Sequence, residues 1–140
     1  MINEYAYFSV TGSGDCENIT KILDWKPNAQ RSWSEGDPRP RGNGVYPFMK
    51  WQLDSGLEKT SSIEHHIEEL LLVLGTKAIA IRALSPDYEC IIQYVGDFGV
   101  GNFGSSHGVH LRPDQIRKAA HIGIGFSMDF YVSEELEHDS

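Results

Sequence analysis

The chain has 140 residues, 40 % of them hydrophobic and 23 % charged, with a formal net charge of −8. A chain of about 150 residues buries roughly two-thirds of its unfolded surface, so one domain can form without metal or disulfide. The acidic balance argues against nucleic acid and anionic membranes, which reward basic patches, and no apolar run nears the ~18 residues of a membrane span.

Residues 4–10 alternate as a strand, with Tyr5, Tyr7 and Ser9 on one side and Ala6, Phe8 and Val10 on the other. Thr11-Gly12-Ser13-Gly14-Asp15 breaks it. A short helix over 17–24 follows, stopped at Trp25-Lys26-Pro27 because proline disfavours helix at the residue before it. Residues 28–46 have no periodicity and carry Gly36, Pro38, Pro40, Gly42 and Gly44 with Arg31, Arg39 and Arg41. They read as a long loop with a short edge strand near 30–34, and a loop of that length is functional or mobile. Residues 48–54 form a strand, with Met49, Trp51 and Leu53 facing one way and Lys50, Gln52 and Asp54 the other.

The stretch 61–74 reads as an amphipathic helix. Ser61-Ser62-Ile63-Glu64 fits a capping box, and Ile63, Ile67, Leu70, Leu71 and Leu74 make one apolar stripe. Gly75 is placed to end the helix in the left-handed conformation. Residues 77–84 then read as a central strand buried on both faces, turned at Ser85-Pro86-Asp87 into an antiparallel partner over 88–95. A glycine-rich loop (96–108) and a short strand (109–111) precede Pro113, which opens a third helix with Ile116, Ala119 and Ala120 as its stripe and Gly123 as its end. The last strand, 126–132, puts Phe126, Met128, Phe130 and Val132 inward, with Ser127, Asp129 and Tyr131 opposite. An acidic, frayed tail is expected over 133–140, leaving one domain over 1–132.

This order predicts an α+β two-layer sandwich: a mostly antiparallel sheet with three helices on one face, ferredoxin-like βαββαβ elaborated by a further βαβ unit. The opposite sheet face is left for contact.

Three features invite chemistry. Gly99-Val100-Gly101-Asn102-Phe103-Gly104 spells the dinucleotide fingerprint, but it does not lead directly into a helix whose N-terminus could hold a pyrophosphate. His65 and His66 are adjacent on a helix and point to different faces; no HExxH or zinc-spaced Cys/His cluster exists, so solvated histidines are expected, with no metal and no cofactor. Cys16 and Cys90 lie in different elements without CxxC spacing, as small thiols of a reducing cytoplasm do. No GxSxG is present for nucleophilic catalysis.

Tyr7 and Gly12 around the opening strand are followed in order by Ile19-Thr20, Leu23, Pro27, Gly36-Asp37, Trp51 with Ser55, the leucine-rich helix, Pro113 with Ile116 and Gly123, and Asp129 with Tyr131. In that order and spacing the chain resembles, nearly end to end, a bacterial family of short proteins catalogued as domain-of-unknown-function family 4279. One departure is Asp24, where that family usually has glycine after the helix; aspartate tolerates the left-handed conformation better than most residues. The resemblance implies a single domain and brings no activity, cofactor or catalytic residue.

Two functional readings remain. The first is a non-catalytic cytoplasmic binding module that recognises a protein partner through the open sheet face and the 28–46 loop; one form of it is an immunity- or antitoxin-like protein that neutralises a basic toxin domain. Trp33, Tyr46 and Trp51 beside the arginines are anchor types for such an interface, with Tyr131 on the open face. The second is a small-ligand sensor or enzyme in which Asp37, Trp51, Asp54 and Asp129 converge, with a histidine as base. The pattern leaves a homodimer open.

Overall fold

A computed structural model describes residues 2–59, 61–99 and 109–133. In chain order it contains β1 (Ile2–Gly12), α1 (Glu17–Leu23), a 3-10 turn (Ala29–Arg31), β2 (Met49–Asp54), α2 (Ile63–Gly75), α3 (Ala78–Leu84), β3 (Glu89–Gly99), α4 (Pro113–Ile122) and β4 (Gly125–Ser133). The strands form one sheet in the order β2-β1-β3-β4. β1 is antiparallel to both β2 and β3, whereas β3 and β4 are parallel, a pairing that needs the crossover α4 supplies.

Strand alternation divides the molecule into two layers. Ala6, Phe8 and Val10 of β1, Met49 and Trp51 of β2, and Cys90, Ile92 and Tyr94 of β3 face one side and are buried. Against them pack Ile19 and Leu23 of α1, the whole predicted stripe of α2, Ile81 and Leu84 of α3, and Ala119 and Ile122 of α4, in one continuous cluster. The expected α+β sandwich therefore stands, with a mostly antiparallel sheet and the helices gathered on one face.

Its details differ in ways that have physical reasons. Residues 77–84, read as a strand, are α3, so there are four described helices rather than three, and the first 85 residues supply β1 and β2 alone rather than a ferredoxin-like unit. The alternation of isoleucine and alanine imitated a strand. Three alanines favour helix, and only Ile81 and Leu84, three apart, are buried, while Ile79 is 86 % exposed. Ser85-Pro86-Asp87 is accordingly a helix exit, where Asp87 and Tyr88 N–H groups both donate to the Leu84 carbonyl. Residues 109–111 form no strand, and 30–34 are a 3-10 turn followed by a single bridge from Trp33 to Lys50.

The α2 cap is Ser62, one residue later than expected, with its hydroxyl accepting from His65 N–H. Gly75 stays in the helix, since Thr76 caps it in right-handed geometry. Its missing side chain leaves room for the end of the Lys118 side chain of α4, whose Cε would lie 3.2 Å from a Cβ there. The buried face of α4 is Gln115, Ala119 and Ile122, so Ile116 and Ala120 point outward. His65 is exposed as expected, but His66 is fully buried. Residues 96–99, read as the start of a loop, instead continue β3; the GxGxxG stretch beyond Gly99, the remainder of that loop (100–108) and the acidic tail beyond Ser133 lie outside the described residues.

A candidate docking face

None of the described helices covers the second face of the sheet. It is built from the opposite alternation: Tyr5, Tyr7, Ser9 and Thr11 of β1, Lys50, Gln52 and Asp54 of β2, Gln93 and Val95 of β3, and Ser127, Asp129 and Tyr131 of β4. Register sets polar groups side by side across it. Asp54, Tyr7, Gln93 and Ser127 are successive cross-strand partners, and Ser9 stands between Gln52 and Ile91.

At the β2 side the face deepens into an open groove of about 370 Å³. Its floor is β1 and β2. Its wall is the segment around the 3-10 turn, held to the outer edge of β2 by Asn28 N–H to Gln52 O (2.8 Å) and by reciprocal bonds between Trp33 and Lys50. The rest of the loop folds back on itself as a narrow ribbon, with Pro38 bridged to Val45 and Tyr46 N–H donating to Asp37 O. A stack of Trp33 on Tyr46, 4.1 Å between centroids and 12° apart, closes the ribbon's base, with Phe48 edge-on to Trp33.

Cations and rings alternate along this side. Arg39 lies over Tyr46, and the Lys50 ammonium sits 5.5 Å from the Trp33 ring and 4.9 Å from the Tyr7 ring. Tyr7 stacks on Tyr5, over which Lys59 sits at 5.3 Å. Arg31 also lines the groove. Among the described residues the ion pairs are those of Arg112 with Glu68 and Asp114 on the helical side, so Arg31, Lys50 and Lys59 have no carboxylate at ion-pair distance. Asp54, the acid nearest them, is occupied by amide donors, Asn28 Nδ2 and Gln52 Nε2 (2.7 Å). Burial, and next the Arg31 charge, lower the Lys50 ammonium from its ordinary value, with Asp54 opposing. Burial, and then Tyr5 and Asp129, raise the Tyr7 phenol.

The residues singled out in the sequence fall in four places. Trp33 and Tyr46 meet beside the groove. Asp37 is a turn residue whose carboxylate accepts Ser34 N–H at 2.8 Å. Trp51 is not a surface anchor: it is buried under the helices, edge-on to Phe8, with its indole N–H donating to Thr20 Oγ1 at 3.0 Å. Asp54, Asp129 and Tyr131 share the open face, but Asp54 and Asp129 occupy its two outer strands, with β1 and β3 between them, roughly 14 Å at ordinary strand spacing. Asp129 is exposed and accepts Gln93 Nε2 at 2.9 Å. The four residues of the carboxylate reading are thus not brought together.

The cations Lys50 and Lys59 and the rings Tyr5 and Tyr7 were not singled out. Alternation had put Tyr5 with Tyr7, and Lys50 with Asp54, on common sides, but nothing local gave the register that sets those two sides together.

At the other end of the groove, Ser55 Oγ lies 2.6 Å from His66 Nδ1 and also accepts Leu57 N–H. This contact ties the segment after β2 to α2. Burial lowers the His66 pKa, and its Nε2 has no hydrogen-bond partner among the described residues. Among the described residues no three His, Cys, Asp or Glu side chains converge as metal ligands, and no helix is long and apolar enough to cross a membrane.

The model of one protein family, a domain of unknown function (DUF4279), matches residues 3–133. No curated protein and no solved structure matches the chain.

Proposed function

The chain belongs to the DUF4279 family, and from that premise we propose that it is a non-catalytic binding module whose open sheet face docks a protein partner. The observation that carries this reading is the row of rings and cations without an ion-pair partner among the described residues, beside a sheet face that no described helix covers. Tyr, Trp and Arg are the side chains that most often anchor interfaces; here Trp33 and Tyr46 are half-buried, where a partner would complete their desolvation, and the exposed Arg39 lies over Tyr46. The free thiols of Cys16 and Cys90 suit a reducing compartment such as the cytoplasm.

The groove chemistry changes the partner expected. Net charge alone suggests a basic partner, as a toxin-neutralising protein would need, but the groove lining carries three cations against the one carboxylate of Asp54. The groove's size, near the lower end of the ~300–1,000 Å³ of small-ligand sites, supports a second reading, a sensor of a small anion.

Paired photo-crosslinking in the native host tests the docking face. A benzophenone amino acid replaces Tyr131 on the open face or Leu72 on the helical face, two residues of nearly equal exposure (55 % and 53 %). The expected result is a protein adduct of defined mass from position 131 and none from 72. Adducts from 72 alone, or from neither, would overturn the reading.

A further inference from the structure

We propose that the groove's occupant is a carboxylate-rich segment of the partner, laid along β1 so that its acidic side chains meet Lys50, Arg31 and Lys59. This rests on the docking-face reading and specifies its chemistry. The chain carries 20 acidic and 12 basic residues, yet the groove lining holds three cations against the one carboxylate of Asp54. That carboxylate is oriented by two amide donors and forms no ion pair; its single charge offsets only one of the three, so the lining stays net positive. Lys50 and Arg31 are held close enough to repel while Lys50 is half buried, a cost the unliganded chain bears and an incoming carboxylate would offset.

The layout favours an extended occupant with repeated charge over a single small anion. Lys50 stands opposite Thr11 and Lys59 beside Glu4, so they reach in from opposite ends of β1, one over Tyr7 and the other over Tyr5. An extended peptide presents same-side residues about every 6.6 Å, close to the 6.4 Å between those ring centroids. Rings with cations also suit single-stranded nucleic acid. A net charge of −8, however, repels a long phosphate chain along its whole length, whereas a short acidic segment of a protein meets the groove alone.

The test uses fluorescent hexaglutamate as the probe, with hexaglutamine and an oligothymidine as comparators, read by anisotropy across a salt series. The expected result is hexaglutamate binding that weakens with salt, no hexaglutamine binding, about tenfold loss in the doubly substituted Lys50→Met, Lys59→Gln protein, and no change in Arg117→Gln on α4. Should the double variant not fold, Lys59→Gln alone serves, at an exposed position, with a loss of about threefold expected. Equal binding of hexaglutamine, tighter binding of oligothymidine, no hexaglutamate binding, or losses equal in Arg117→Gln would each overturn the proposal. If hexaglutamate fails while the position-131 adduct persists, the docking face stands and only its acidic occupant falls.

Discussion

His66 is a titratable group enclosed on every side, and its environment fixes a pH dependence. Burial is the main influence on it and disfavours the imidazolium; the backbone of Glu58 and the charge of Glu4 oppose that only in part. The folded pKa therefore lies below the ordinary value of 6.5. Between the two pKa values the unfolded chain binds more protons than the folded one, so stability rises with pH through that window and is lost as pH falls below 6.5. Chemical denaturation at a series of pH values should show the midpoint dropping from about pH 7 to about pH 5, with a flatter profile in His66→Gln. An unchanged profile in the variant would assign the dependence to other groups. The histidine itself was visible in the sequence only as one of an adjacent pair. What hid its burial is that α2 buries a wider arc than its aliphatic stripe, and His66 completes that arc between Ile63 and Leu70 with Ser55 as its partner.

At the scale of elements, helix ends were read more reliably than the identity of one segment. Pro113 begins α4 and Gly123 ends it with a φ of 90°, as their backbone preferences dictate. Asp24 ends α1 as the non-glycine residue with positive φ among those described (φ 55°, ψ 45°), its N–H donating to Thr20 O. Asp24→Gly should hold or slightly raise the melting temperature, while Asp24→Val should lower stability by about 1–2 kcal/mol, since a β-branched side chain is penalised in the left-handed region. Calorimetry on the two variants checks that order, and a valine variant as stable as the parent would contradict it. Residues 77–84 were misread because both strand and helix are consistent with a short apolar run. What decided between them was tertiary: α3 fills the space beside α1, α2 and α4, with Ile81 and Leu84 as its contribution to the core. Trp51 shows the same limit from the other side. Its strand parity placed it correctly with Met49, but its residue type made it look like a surface anchor.

For the whole molecule, the division into a face under the helices and a face that no described helix covers was legible from alternation alone, because Phe8 and Trp51 fall on one parity and Tyr7 and Lys50 on the other. The groove was not, since it depends on β1 pairing with β2 at Tyr7↔Asp54 and on the loop segment docking at Lys50, contacts more than 15 residues apart in sequence. Lys50 shows how far net charge can mislead: an acidic chain still sets a half-buried, unpaired ammonium between Trp33 and Tyr7.

The account depends on that second face being open to solvent in the free chain, and hydroxyl-radical footprinting with residue-level mass spectrometry measures this directly. Tyr5, Tyr7 and Tyr131 should be oxidised far faster than Tyr94 and Trp51, which are 2 % and 0 % exposed beneath the helices. Protection of Tyr7 and Tyr131 equal to that of Tyr94 would mean that the face is covered, and the docking surface would be contradicted with it.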